Sequence, residues 1–333
     1  MLAEIWFAYV LYFQPTLGLA ILRGGGDHAP QVDPEAMAAL ITPELLKRLE
    51  QLQLLARRRS KSTAKGERRS GARGQSVEFA DYRNYVPGDD LRRIDWNLYG
   101  RLDRLFLKLY EEERELPVTI FLDASESMSF GQVPKFDFAR QVAAAVGYVA
   151  LCGFDRVTVE PFPLGDDQVG LVGELRQVRG RKSSIRFFEN LAKLKAAGTA
   201  DFNQALRRGA MKHRAPGVSV VLSDFLAPAG YEEGLKSLAH RGSEIHAVQI
   251  LSPEELEPSA YGDLKVIDSE TGAEQEVTFG KYRLKAYRAT VQNYCQRLQE
   301  FCRARGVRYQ LARSDTPIDD LLLKAMRTGG MWR

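Results

Sequence analysis

The chain has 333 residues, of which 44% are hydrophobic and 27% are charged. This composition is ordinary for a soluble globular protein and excludes global disorder, and the length allows one large α/β domain with a smaller appendage. Three cysteines are too few for a disulfide framework and lack the short paired spacing of a zinc site. Cysteine usage therefore favours a reducing, cytoplasmic location.

The first 36 residues fit no folding pattern well. Residues 5–13, "IWFAYVLYF", are continuously apolar, but Glu4 precedes them and Pro15 interrupts the stretch. No basic region stands before them, as a signal peptide requires. A span over residues 5–22 would only just reach membrane length. We interpret residues 1–36 as a leader, either a misplaced start or a weak anchor, so membrane association through the N-terminus is the alternative to a cytoplasmic location.

Residues 37–115 are predicted to form an N-terminal appendage with helical and β-rich parts. Its first part, "MAALITPELLKRLEQLQLLARR", has leucines at helical spacing, with Thr42 and Pro43 as a helix start. Between residues 38 and 75 there are ten Lys or Arg and three Glu. The basic segment 57–73 therefore suggests an alternative function, in which the protein associates with nucleic acid.

The next stretch, "SVEFADYRNYVPGDDLRRIDWNLYGRLDRLFLKLYEEERE", is rich in aromatic and apolar residues around a Pro87-Gly88 turn. It predicts short strands and turns. We expect its aromatic side chains to pack against the larger domain; they are Phe79, Tyr82, Tyr85, Trp96 and Tyr99. Asp89, Asp90 and Asp95 could form a second metal site, but the preferred interpretation is that they pair with Arg92 and Arg93 around the turn or with the main domain.

From residue 116 to 333, apolar strands alternate with helices of 10 to 15 residues. This alternation predicts a doubly wound, mostly parallel α/β sheet with helices on both faces. A β-hairpin with its turn at Thr271-Gly272 interrupts the pattern, and a long amphipathic helix ending at Gly306 follows it. A last strand and helix complete the domain.

Polar side chains follow the predicted strands in three loops. Asp123, Ser125 and Ser127 come directly after the first strand, Thr199 lies before a helix, and Asp224 ends the strand "VVLSDF". In an open parallel sheet, loops at the carboxyl ends of the strands meet where the strand order reverses. Two carboxylates and three hydroxyls form an all-oxygen set that suits Mg²⁺ or another divalent cation. A carboxylate from a partner protein could then supply the last ligand.

Catalytic interpretations of the same residues are weaker. A phosphoryl-transfer nucleophile at Asp123 calls for a second acid two residues on, where Ser125 stands. An acyl-transfer nucleophile at Ser125 or Ser127 calls for a nearby base, and neither His213 nor His246 is well placed for that role. The hydroxyls could also simply cap the following helix. No ATP-binding motif is found, so we expect a binding protein with no catalytic residues rather than an enzyme.

The five residues of the three loops resemble the metal-ion-dependent adhesion site of the von Willebrand factor A domain. Its pattern is D-x-S-x-S, a Thr from a second loop and an Asp from a third, matched here by Asp123, Ser125, Ser127, Thr199 and Asp224. The resemblance implies a von Willebrand factor A type of doubly wound fold over residues 116–333, with Mg²⁺ bound at these positions.

A narrower resemblance covers most of the chain from about residue 40 onward. The block "EFADYRNYVPGDDLRRIDWN" and its flanks are similar to the signature of the bacterial family of domain of unknown function 58. Membership implies a functional link with MoxR-type AAA+ ATPases, as an adaptor or cofactor in the remodelling or maturation of client proteins. A client or the ATPase would then provide the carboxylate that reaches the metal.

Overall fold

The computed structural model describes residues 40–52, 77–112, 115–164, 168–213, 215–258, 262–267, 274–279, 281–326 and 329–332. These residues divide into two compact units. The small unit contains residues 77–112 and 115, and the large unit contains 40–52 and the described residues from 116 onward. The leader 1–36, the basic segment 57–73 and the Thr271-Gly272 turn lie outside the described residues.

The strands alternate with helices along the large unit, as predicted. The strands are β1 (Val77–Asn84), β2 (Phe106–Glu112), β3 (Pro117–Asp123), β4 (Arg156–Phe162), β5 (Val178–Arg179), β6 (Val218–Ser223), β7 (Glu244–Leu251), β8 (Gly262–Ile267), β9 (Glu274–Phe279) and β10 (Arg308–Arg313). The helices are α1 (Pro43–Leu49), α2 (Trp96–Leu102), α3 (Lys135–Cys152), α4 (Val169–Glu174), α5 (Ser184–Ala192), α6 (Phe202–Lys212), α7 (Glu232–Ala239), α8 (Pro253–Leu256), α9 (Lys281–Ala304) and α10 (Ile318–Asp320).

Among the described residues, six strands form one central sheet in the order β10-β7-β6-β3-β4-β5. All neighbouring pairs are parallel except β4 with the short edge strand β5. The prediction of a mixed α/β fold with a mostly parallel sheet is therefore confirmed. The antiparallel β5 was not predicted, because a two-residue strand carries no alternation pattern.

The sheet is covered on both faces because successive side chains of a strand point to opposite sides. On β3, Ile120 and Leu122 pack in the cluster formed with α1, α3 and α5, whereas Phe121 packs in the cluster formed with α6, α7 and α9. Helix α3 is buried almost all round, which explains its apolar sequence "AAAVGYVALC".

Helix α1 belongs to the large unit. Thr42 caps it through a hydrogen bond from the Leu45 N–H, and Pro43 occupies its first position. Leu45 and Leu49 are fully buried in the same cluster as α3. The structure thus groups this helix with the central sheet, whereas the sequence grouped it with the signature segment.

The small unit is an antiparallel pair, β1 with β2, joined through a turn at Pro87-Gly88, a 3-10 turn and helix α2. Helix α2 lies in the stretch predicted as strands and turns, so that part of the prediction is wrong. Asp95 caps α2 by accepting the N–H groups of Asn97 and Leu98, and this cap outweighs the β-propensity of the aromatic residues. Trp96 is 61% exposed, contrary to the expectation that it packs.

The last part of the large unit agrees with the sequence pattern. Strands β8 and β9 form the expected hairpin, α9 follows, and β10 joins the edge of the sheet beside β7. The C-terminal segment is anchored by Trp332, which is 1% exposed and donates its indole N–H to the Leu322 carbonyl at 2.8 Å.

Candidate metal centre

The candidate site lies where the strand order of the sheet reverses. The chain runs from β3 outward to β4 and then returns to β6 on the other side of β3. The carboxyl ends of β3 and β6 therefore open a crevice between them. Asp123 ends β3 and Asp224 directly follows β6, so their two carboxylates converge at this point.

Asp123 is held by three hydroxyl or amide donors. Its Oδ1 accepts the Ser125 hydroxyl at 2.7 Å and the Ser125 N–H at 3.1 Å. Its Oδ2 accepts the hydroxyl of Ser223, the last residue of β6, at 2.6 Å. Because the side chain is only 4% exposed, these donors replace the water that a carboxylate otherwise needs.

The other two predicted hydroxyls lie on the Asp123 loop and on a second loop that is hydrogen-bonded to it. Ser127 Oγ lies 3.0 Å from Ser125 Oγ, within a short 3-10 turn. The loop of Thr199 is joined to the Asp123 loop by two backbone hydrogen bonds, from Ala197 N to Ala124 O and from Glu126 N to Gly198 O, both 2.8 Å. Thr199 itself is exposed. We call Asp123, Ser125, Ser127, Thr199 and Asp224 the oxygen cluster.

A buried lysine adjoins the oxygen cluster. Lys135, the first residue of α3, is 0% exposed, and its Nζ lies 2.7 Å from Asp224 Oδ2 and 2.6 Å from Glu255 Oε1. The other oxygen of Glu255 accepts the Ser252 N–H at 2.8 Å in a capping box at α8. We call Lys135, Asp224 and Glu255 the buried triad; it shares Asp224 with the oxygen cluster.

The loop that carries Asp224 is strained and tightly held. Phe225 has φ +60°, a left-handed conformation that costs a bulky residue about 1–3 kcal/mol and persists where the surroundings enforce it. Its ring is fully buried against Phe202 and Tyr231, and its carbonyl accepts the Tyr294 hydroxyl of α9. Gln249 of β7 donates to the Asp224 carbonyl at 2.9 Å. Asp224 is thus placed by packing rather than by solvent.

Asp123, Glu255 and Lys135 have shifted pKa values. Burial, and then the nearby charge of Asp224, raise the pKa of Asp123 to about 7. Burial also raises the pKa of Glu255, although Lys135 opposes this shift. Burial opposes the charged form of Lys135, but Asp224 and Glu255 more than offset it and raise the pKa of Lys135. Lys135 is therefore an ammonium ion at neutral pH, whereas Asp123 has a marked tendency to take up a proton.

The donor set fits a hard divalent cation. When all three carboxyls are ionised, Asp123, Asp224 and Glu255 face the single ammonium of Lys135, a formal excess of two negative charges that a divalent cation would neutralise. Within the residues that the structure describes, no group of three or more His, Cys, Asp or Glu is placed to hold a metal ion. The oxygen cluster instead supplies two carboxylates with hydroxyls, as Mg²⁺ accepts when it keeps several waters.

The sequence pattern predicted the oxygen cluster as a metal site, which stays a prediction, and it did not indicate three residues that contact the cluster. Ser223, Lys135 and Glu255 are 100, 89 and 120 residues from the partners they contact, so no local spacing joins them. One signal was available for Lys135: a cation in the first turn of a helix is unfavourable for the helix dipole. A lysine in the first turn of an apolar helix therefore indicates an acidic partner elsewhere in the chain.

Residues weighed for other chemistry have other partners. His213 Nε2 lies 3.1 Å from Glu160 Oε1, and His246 Nε2 lies 3.3 Å from Arg308. In the small unit, Asp89 pairs with Arg83 at 2.9 Å, and Asp90 accepts the Arg92 N–H at 3.0 Å. The aspartates of the signature segment therefore serve the turn and the helix caps, and the partner of Asp89 is Arg83, which was not among the predicted partners.

Comparisons with known proteins point to one family. A family model described as "Protein of unknown function DUF58" matches residues 81–297. Uncharacterized proteins of Mycobacterium bovis (Mb1516) and Mycobacterium tuberculosis (Rv1480) are each 27% identical over 259 residues, covering 77% of this chain and 76% of theirs. A protein of Mycobacterium avium (MAV169) is 38% identical over 74 residues, covering 22% of this chain and 41% of that protein.

Among solved structures, "conserved hypothetical protein BatB from Bacteroides thetaiotaomicron" aligns with 64% of this chain and 96% of that one. The sequence identity is 14% and the TM-score is 0.36, too low to establish a shared fold. Among the described residues, no helix combines the length and apolar character needed to cross a membrane. The apolar stretch 5–22 lies outside those residues.

Proposed function

This chain belongs to the DUF58 family, and from that membership and the geometry of the oxygen cluster we propose that it is a metal-ion-dependent protein-binding module. The bound ion is Mg²⁺ or another divalent cation. Its large unit is proposed to be of the von Willebrand factor A type, since that type pairs a D-x-S-x-S loop with a Thr and an Asp from two further loops. Asp123, Thr199 and Asp224 occur in that order here.

One observation carries the proposal: the buried carboxylates of Asp123 and Asp224 converge at the strand switch point, beside the hydroxyls of Ser125 and Ser127. Asp123 accepts the hydroxyls of Ser125 and Ser223, so it is oriented before any ion arrives. Ser127 is half-buried and lies on the solvent side of this pair. A hard cation would relieve the repulsion between Asp123 and Asp224.

A divalent ion at this site would supply a Lewis acid for an external carboxylate. The residues of the chain orient the oxygens, and the packed loop around Phe225 keeps Asp224 in place. Because the hydroxyl ligands are uncharged, few protein charges compete with an incoming acid. The partner contact is therefore a Glu or Asp of another protein.

The proposed role is that of an adaptor or cofactor of a MoxR-type AAA+ ATPase in the cytoplasm, acting in the remodelling or maturation of client proteins. It is not proposed to be an enzyme. Ser125 donates to a carboxylate rather than to a histidine, and the position two residues after Asp123 holds a hydroxyl and not an acid.

The test is a pull-down of a MoxR-type ATPase and of client proteins with and without Mg²⁺. The wild-type chain is expected to retain the partner only with the metal, and Asp123→Ala is expected to lose it. Ser129→Ala is the matched control, because Ser129 lies in the same 3-10 turn but outside the oxygen cluster. Equal retention by wild type and Asp123→Ala would refute the proposal.

The alternative, association with nucleic acid through the basic segment 57–73, concerns residues that are not described and stays a prediction. Phosphate contacts make affinity fall steeply with salt, and they do not depend on Asp123. A salt titration of DNA and RNA binding by the wild-type chain and Asp123→Ala separates the two functions.

A further inference from the structure

Lys135 and Glu255, two members of the buried triad, have no role in the proposed function. A Lys at 0% exposure between two acids at 5% exposure is rare, because such residues are among the least often fully buried. All three side chains are buried, so each ionised group has lost its hydration. Contacts among the three groups offset this desolvation cost only in part. A well-packed apolar trio in their place would be as stable or more stable, so fold stability alone does not account for the triad.

The triad is linked directly to the candidate metal centre. Lys135 donates to Asp224, which faces Asp123 across the crevice, while Glu255 contacts Lys135. Glu255 is fixed in turn by the Ser252 N–H, and its carbonyl accepts the Tyr287 hydroxyl of α9 at 2.9 Å. The triad is therefore a fixed arrangement of charges beside the oxygen cluster.

The charges explain what such an arrangement can do. Counted as three carboxylates and one ammonium, Asp123, Asp224, Glu255 and Lys135 have a formal charge of minus two, which one divalent ion would bring to neutral. Without the ammonium, the same ion would leave a negative site that repels an external carboxylate. Without Glu255, the site would hold the ion weakly but attract a carboxylate strongly.

We infer that the Lys135–Glu255 pair determines the specificity of the site, by setting a local charge at which a divalent ion binds and still accepts a carboxylate from a partner. This inference rests on the proposed function. Lys135 and Glu255 are positioning residues here, since they act on the ion through Asp224 and through their charge.

The inference predicts opposite effects on two affinities. Lys135→Met makes the site more negative, so the affinity for a divalent ion rises while the affinity of the loaded site for a carboxylate falls. Glu255→Gln has the reverse effects. The double variant Lys135→Met/Glu255→Gln restores the formal charge and is expected to return both affinities toward wild type. Each single change is expected to shift affinity on the order of tenfold, as one charge a few ångströms away does in a partly shielded site.

The experiment uses the full chain and two probes. Binding of Mn²⁺ is measured by electron paramagnetic resonance, and binding of acetate to the Mn²⁺-loaded protein is measured by water proton relaxation. Lys135→Arg, which keeps the charge, serves as the charge-matched variant. Glu255→Gln and the double variant both lose the same capping-box carboxylate, so a difference between them reports charge and not the loss of that cap.

The expected result is a reciprocal order of Mn²⁺ and acetate affinities along the series. Circular dichroism first establishes that each variant is folded; if Lys135→Met does not fold, wild type, Glu255→Gln and the double variant still give the order. Mn²⁺ binding by wild type that Asp123→Ala abolishes, with affinities unchanged along the series, overturns this inference and leaves the proposed function standing. No Mn²⁺ binding by wild type overturns both.

Discussion

Charged residues are used in opposite ways in the two units. In the signature segment of the small unit, Asp89 and Arg83 form a pair that is 24% and 42% exposed, and Asp95 caps helix α2. In the large unit, Lys135 and Asp224 are 0% and 5% exposed. The signature segment has the denser charges in the sequence, yet its ion pair keeps contact with water, whereas the ion pair beside the sheet is removed from it. Burial, rather than charge density, marks the candidate site.

The largest expected effect is a loss of stability when the buried ion pair of the large unit is broken. Lys135→Met leaves two buried acids without their counter-ion, and such a change costs about 3–5 kcal/mol in the free energy of unfolding. Urea denaturation followed by the fluorescence of the buried Trp332 measures this cost. The double variant Lys135→Met/Glu255→Gln is expected to recover part of it. A Lys135→Met protein as stable as wild type would contradict the comparison.

The next effect is a pH dependence peculiar to the large unit. The folded state raises the pKa of Asp123 from 3.8 to about 7, so the native protein holds a proton that the unfolded chain releases. Stability of the metal-free protein therefore falls as pH rises from about 4 to about 7. Asp123→Asn removes this loss and is expected to stabilise the metal-free protein at pH 8 by a few kcal/mol, since one pKa unit is worth about 1.4 kcal/mol.

The same variant should show no advantage near pH 4, where Asp123 is protonated in the folded protein. Mg²⁺ should reverse the order at pH 8, because the ion favours the ionised carboxylate that only the wild type has. Thermal melts at both pH values, with Mg²⁺ and with a chelator, make the comparison. A gain in stability from Asp123→Asn that is equal at both pH values would show that the environment does not raise the pKa of Asp123.

A smaller effect is expected in the small unit. Asp95→Ala removes the cap of α2 and a partner of the Tyr82 hydroxyl, at a cost of about 1 kcal/mol. Fluorescence of Trp96 and of Trp332, each measured in a chain whose other two tryptophans are replaced by Phe, reports it, with Asp95→Asn as the matched variant because Asn also caps helices. A loss in the Trp332 transition in place of the Trp96 transition would show that the cap serves the large unit.

The smallest effect is at the exposed pair of the small unit. Arg83→Met is expected to leave the urea midpoint unchanged, since solvent screens an ion pair of this exposure. Measured beside Lys135→Met, the Arg83→Met variant compares how much a solvated and a buried ion pair contribute to stability in the same chain. A destabilisation comparable to that of Lys135→Met would remove the distinction between the units.

The sequence predicted those parts of the molecule that depend on local periodicity. The alternation of strands and helices predicted the parallel sheet. The polar residues after the strands predicted that Asp123 and Asp224 lie at its carboxyl edge. The buried triad could not be predicted in this way, because Lys135 reaches Asp224 and Glu255 only after the chain has folded over some hundred residues. Helix α2 was not predicted because its aromatic residues favour strands locally. The one local helix signal is Asp95, which caps the first turn.

The central claim, that the oxygen cluster binds one divalent ion, is tested most directly by isothermal titration of Mg²⁺ into metal-free protein. Wild type is expected to bind a single ion per chain. Ser127→Ala is expected to weaken Mg²⁺ binding at least tenfold because it removes a proposed ligand. Ser129→Ala, two residues on, is expected to leave Mg²⁺ binding unchanged. No heat of binding in the wild type, or equal affinity in Ser127→Ala and Ser129→Ala, would contradict the claim.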